Sequence, residues 1–190
     1  GEKVDNGLET LTGASIYSLY GATKKPTSEM LKGIDILVFD MQDIGVRYYT
    51  YASTLTLVME SAAENGIPFI ILDRVNPLGH EIEGSILEME FSSFVGMHPV
   101  PVRHGMTLGE LAQMINGESW LENGIKADLT VIAYKGTIDE KVKAHAFNTP
   151  LSPNMPNVET AWLYQGLCLL EGTSLSEGRG TNLPFKLIGA

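Results

Sequence analysis

Cysteine is nearly missing from this chain. Cys168 is the single one in 190 residues, so no intrachain disulfide framework forms. It lies in the apolar stretch Leu167-Cys168-Leu169-Leu170 and is expected as a small buried apolar residue. No apolar run approaches the roughly 20 residues of a membrane helix. Basic residues are scarce as well. Thirteen Lys and Arg face 23 Asp and Glu, a net charge of −10, and no basic cluster offsets it. That balance argues against nucleic-acid phosphates or anionic membranes as partners. Walker A and GxGxxG phosphate loops are missing, as is a GxSxG elbow. His80, His98, His104 and His145 are scattered without metal-ligand spacing. Neither a metal nor a cofactor is expected. No signal peptide is visible. The chain opens without methionine, and the expectation is a piece of a longer protein.

What is present is a core. Apolar residues make up 44% of the chain, enough for one domain of ordinary size. Strands are expected at Ser15–Tyr20, Ile34–Asp40, Ile67–Leu72, Pro101–Arg103 and Leu129–Tyr134. Helices are expected from Pro26 to Leu31, from about Thr50 to Asn65, from the capping-box pattern Thr107-Leu108-Gly109-Glu110 to about Asn116, and from Val158 to Leu170. In the last of these, Val158, Ala161, Trp162, Gln165 and Leu169 are loosely in phase. Alternating strands and helices, with strands apolar on both sides, imply an α/β fold: a mostly parallel sheet with helices on both faces. About 74–100 and 136–157 are expected as long loops, which tend to be functional or mobile.

Polar clusters sit where apparent strands end, the position at which open α/β sheets bind ligands. The first runs Asp40-Met41-Gln42-Asp43 to Arg47-Tyr48-Tyr49. Paired carboxyls divide into acid and base when their surroundings push their pKa values apart. Against that, Asp43 is equally suited to cap the next helix, and Arg47 is placed to pair with either acid. Tyr48 and Tyr49 suit stacking on a sugar face or core packing. The second cluster, Asp73-Arg74-Val75-Asn76-Pro77, puts an acid, a forked cation and an amide on one turn. The third is Arg103-His104-Gly105. Glu110 is fully accounted for by the capping box. Pro153 and Pro156 stiffen a loop whose polar tip is Asn154. A glycine-rich segment, Glu171-Gly172-Thr173 through Ser176-Glu177-Gly178-Arg179-Gly180-Thr181, allows close backbone approach to a ligand.

Together with Ser18-Leu19-Tyr20-Gly21, these motifs resemble one bacterial family in order and over nearly the whole chain. It is the NamZ-type exo-β-N-acetylmuramidases, long described as a domain of unknown function. The resemblance implies a Rossmann-like catalytic domain over 1–190, incomplete at its N-terminus, with the family's small C-terminal domain absent. It implies an exported protein that removes terminal N-acetylmuramic acid from the non-reducing ends of peptidoglycan fragments. Val75 stands where the family usually has proline. A family stretch bearing a Glu-His-Gly motif has no counterpart here.

Glycoside hydrolysis generally takes two carboxyl groups flanking the bond. The catalytic candidates are Asp40, Asp43, Asp73 and Glu177. The lactyl carboxylate of muramic acid calls for an arginine, among Arg47, Arg74, Arg103 and Arg179. His104 and Asn154 are candidates for binding hydroxyl or acetamido groups, and Gln42 and Asn76 are further substrate-binding candidates. The partners expected are muropeptides, with no nucleic acid. Two other readings share these residues or the fold: a non-catalytic module for acidic sugars or muropeptides, and a nucleotide-dependent enzyme, which lacks its phosphate loop.

Overall fold

A computed structural model describes residues 5–135 and 150–190. Three short, largely apolar runs pair into a parallel sheet. They are β3 (Leu37–Phe39), β4 (Phe69–Leu72) and β7 (Leu129–Ile132), numbered in chain order, with β4 central. Their register aligns Leu37, Phe69 and Leu129, and likewise Phe39, Ile71 and Val131. That row faces two helices. On α1 (Tyr51–Glu64), Ala52, Leu55, Met59 and Ala62 recur at helical spacing and are buried. On α2 (Leu108–Gly117), Leu108, Leu111, Ala112 and Ile115 do the same. These residues form the main core. The α/β class and the parallel sheet agree with expectation. Among the described residues, α1 and α2 share one face of the sheet. On the other face Val38, Leu72 and Ile132 are 57%, 39% and 54% exposed.

A second cluster holds Ile44, Val46, Leu78, Met155, Ala161, Tyr164 and Phe185. Three of these come from α3 (Val158–Leu167) and the C-terminal segment. Asn157 caps α3, accepting from Thr160 N at 3.0 Å. The buried positions of α3 are Thr160, Ala161 and Tyr164, whereas Trp162, expected in phase, is exposed. The helix gives way to a 3-10 turn at Cys168–Gly172. Cys168 packs half-buried against this cluster.

The structure corrects several elements. Residues expected as a helix over Pro26–Leu31 form a series of turns, since so short a run cannot repay helix nucleation. The strand expected at Ser15–Tyr20 narrows to β2 (Ser15–Ile16), antiparallel to β1 (Gly7–Leu8). β6 (Pro101–Arg103) lies outside the parallel sheet, paired antiparallel with β5 (Glu83–Ile86). β5 interrupts the first expected loop. Every residue of it is exposed, so it carries no apolar alternation to betray it. Residues 136–149 of the second expected loop, with His145, lie outside the described residues. No described helix is long and apolar enough to cross a membrane.

The capping box at α2 is complete. Thr107 Oγ1 accepts from Glu110 N at 3.2 Å, and Glu110 accepts from Thr107 N at 2.9 Å. Thr107→Ala removes that cap and the hydroxyl's bond to Asp73 Oδ2. The expected loss is about 1–2 kcal/mol. Thermal unfolding reads it as a midpoint lower by roughly 2–8 °C for a chain of this size.

Candidate active site

The chain leaves β3 at Phe39 and enters a turn pinned by two fully buried side chains, Ile44 and Val46. Val46 also bridges to Arg103, which carries the third polar cluster to the first. Gln42 Nε2 donates to Val75 O at 2.8 Å and to Asp43 O at 2.7 Å. It thereby staples the turn after β3 to the turn after β4. Asn76, buried, accepts from Leu78 N and donates to Met106 O. Gln42 and Asn76 therefore build the site's frame.

Two acid-centred groups result. At the surface, Arg74 Nε and Nη2 both donate to Asp40 Oδ1, at 2.7 and 2.6 Å. Each side chain is 46% exposed, so solvent screens the pair. Beneath it, Asp43 is buried. One oxygen, Oδ2, accepts from Gly45 N at 2.7 Å, and the other, Oδ1, has no hydrogen-bond partner among the described residues. Burial pushes the Asp43 carboxyl up to about 7, against the opposing pull of the Gly45 and Ile44 N–H groups. Asp43 and Arg74 line the same recess, with Asn76, Met106 and Thr107. Its volume, about 10 Å³, holds roughly one water.

His104 stands against Asp43. Its Nδ1 accepts from Met106 N at 3.2 Å, which assigns the proton to Nε2, 4.0 Å from Asp43 Oδ2. Nε2 has no closer partner among the described residues. Burial lowers the imidazole to about 4. Both shifts favour uncharged forms, so a neutral imidazole faces a carboxyl that holds its proton up to neutral pH. The Tyr49 hydroxyl is a further buried polar atom without a hydrogen-bond partner among the described residues.

Other candidates are engaged elsewhere. Asp73 accepts from Gly109 N at 2.9 Å and from Thr107 Oγ1 at 2.7 Å, securing the start of α2. Arg47 turns away from both acids and donates to the carbonyls of Ser85 and Val100. Buried Arg103 binds Glu81, Glu83 and the Leu78 carbonyl, with its guanidinium over Trp162. Glu177 and Arg179 pair with each other at 2.9 Å, and Arg179 also binds Glu171. They form a separate group in the C-terminal segment. Asn154 tips the tight turn closed by Met155 N on Ser152 O. The structure thus unites Asp40 with Arg74, and Asp43 with His104. It gives Arg47, Arg103 and Arg179 protein partners of their own.

A roomier cavity, about 270 Å³, adjoins the recess and shares Val75 and Thr107 with it. Gln113 and Tyr134, which line it, escaped the sequence reading. The available signal was the spacing of three between Thr107, Glu110 and Gln113, which places them along one helix side. As for metals, Glu60, Glu64 and Glu122 bring oxygens within 4.8 Å of one another. Lys25 Nζ already sits there, 2.5 Å from Glu60 and 2.7 Å from Glu64. That ammonium supplies the charge a cation would bring.

Known proteins share this architecture. Two crystal structures of DUF1343 family proteins from Bacteroides fragilis NCTC 9343 superpose with TM-scores of 0.86 and 0.85, at 44% and 42% identity. They match 96% and 95% of this chain and 50% and 48% of their own. The peptidoglycan β-N-acetylmuramidase NamZ of Bacillus subtilis (strain 168) is 53% identical over 194 residues, covering 100% of this chain and 46% of that protein. The chain therefore spans about half the length of these relatives. The family model for the C-terminal part of exo-β-N-acetylmuramidase NamZ matches residues 162–190, and the model for its N-terminal part matches residues 1–159. With most of its length inside that N-terminal model, the chain belongs to the NamZ family.

Proposed function

We propose that the full-length protein is an exo-acting glycosidase that releases terminal N-acetylmuramic acid from the non-reducing ends of peptidoglycan fragments, with residues 1–159 of this chain in its N-terminal, Rossmann-like catalytic part. Export of the enzyme is part of the same proposal, as the family resemblance implies. The observation that carries the reading is the contrast between two carboxyls on one turn. Asp43 is buried and raised to about 7, while Asp40 is open to solvent and tied to Arg74. Divergent environments of this kind separate an acid from its partner. Asp43 is the proton donor, reaching the leaving oxygen through the one water for which its recess has room. Asp40 is the carboxylate on the reacting side, oriented by Arg74. His104 Nε2–H, 4.0 Å from Asp43 Oδ2, is the donor turned toward the carboxylate that remains on Asp43 once the proton has left. The name of the Bacillus relative supports the substrate class.

The test uses the full-length protein and a chromogenic N-acetylmuramide. Wild type liberates N-acetylmuramic acid, and Asp40→Asn lowers kcat/KM at least about a hundredfold while circular dichroism stays native. Calorimetric binding of muropeptides without product would instead make the protein a sugar-binding module.

A further inference from the structure

Beside the recess, the ends of two strands and one side of a helix enclose the larger cavity. Asp73 follows β4 directly, and Tyr134 lies two residues beyond β7. Thr107, Glu110 and Gln113 line it from α2, and His80 completes it. Its 270 Å³ is close to the lower limit of about 300 Å³ for pockets that take small organic ligands, which is room for one sugar ring. The lining is chemically distinct from the neighbouring recess. Among the described residues it has two carboxyl groups and no lysine or arginine. The N–H groups at the start of α2 are also taken, Gly109 N by Asp73 and Glu110 N by Thr107. Among these residues an anion finds no lysine or arginine and meets two acids. A neutral polyhydroxylated ring finds a donor-acceptor amide in Gln113 and an aromatic face in Tyr134, itself 42% exposed, while Asp73 and Glu110, already bonded at the start of α2, add only their remaining lone pairs.

We propose that this cavity holds the uncharged N-acetylhexosamine on the leaving-group side of the scissile bond, with Tyr134 as its stacking platform and Gln113 as its hydrogen-bonding contact. The assignment rests on the glycosidase reading above. It places the cation, Arg74, on the muramic acid side and the acids of α2 on the neutral side, so the polarity of the two subsites orients the disaccharide.

The experiment compares two substrates of the full-length protein: a disaccharide of N-acetylmuramic acid linked to N-acetylglucosamine, and methyl N-acetylmuramide, which has no second ring. Tyr134→Ala raises KM for the disaccharide about tenfold, and Gln113→Ala does so to a smaller degree, while KM for the methyl glycoside stays within about twofold. An equal change on both substrates, or no change on either, overturns the subsite. If wild type hydrolyses neither substrate, the glycosidase reading fails separately. Titration of free N-acetylglucosamine, followed by NMR, then decides the cavity. Binding weakened about tenfold by Tyr134→Ala upholds it, and absent or unchanged binding rejects it.

Discussion

Asp43→Asn lowers kcat of the full-length protein on a chromogenic muramide by about 10²- to 10⁴-fold, the range for removal of a general acid. The amide matches the carboxyl in shape and keeps an acceptor for Gly45 N, so the fold persists and the loss is chemical. The pH profile separates this from simple damage. A donor raised to about 7 must carry its proton to act, so wild-type turnover falls as pH rises through about 7. Residual turnover in Asp43→Asn lacks that limb. Stability carries the same signature with a definite sign. The folded value lies above the ordinary 3.8, so the folded state holds the proton more tightly. Asp43's contribution is then fully present below about 4 and is lost as pH rises through about 7. His104 runs the other way. Its value is lowered to about 4 from 6.5, so its contribution is present above about 6.5 and is lost as pH falls through about 4. Denaturant midpoints measured from pH 4 to 8 will therefore decline less toward the alkaline side in Asp43→Asn than in wild type.

Gly45→Ala unfolds the site from its frame. Gly45 has a φ of 79°, where a side chain costs about 1–3 kcal/mol. A Cβ there would also stand 2.2–2.6 Å from the Asn76 carboxamide. Asn76 would have to leave its bonds to Leu78 N and Met106 O, in a buried place that offers no replacement. The combined expectation is a loss of roughly 2–4 kcal/mol, and a thermal midpoint lower by about 4–16 °C. Double-mutant analysis isolates the clash. In an Asn76→Ala background, Gly45→Ala costs less than in wild type by about 1 kcal/mol or more. Equal costs in the two backgrounds would show that only backbone strain acts.

The pieces of this molecule that sequence made legible are those set by neighbours along the chain. The aliphatic runs of β3, β4 and β7 and the capping box of α2 all appeared where local pattern placed them. Turns instead of a helix at 26–31, and the unforeseen β5, show the limit. β5 pairs with β6, and Arg47 ties the two across to the first polar turn by bonding Ser85 and Val100. None of these contacts leaves a periodic trace. The site divides in the same way. Asp40 and Asp43 were visible as a pair on one turn, and the reading of Glu110 as a cap was correct. Which arginine serves Asp40 was not legible, because Arg74 reaches it across 34 residues while the closer Arg47 is drawn off by carbonyls. Nor does a sequence state that Asp43 is sealed and Asp40 open. That difference comes from Ile44 and Val46 sinking into the second cluster.

Four side chains, Val38, Ile70, Leu72 and Ile132, share one side of the β3-β4-β7 sheet and meet neither α1 nor α2. Both outer strands also present unpaired rims among the described residues. Parallel sheets in water-soluble proteins are sheathed on both sides, and bare rims recruit further strands. That bare side and those rims are where this 190-residue stretch offers a seat to further polypeptide, and the relatives it matches are about twice as long.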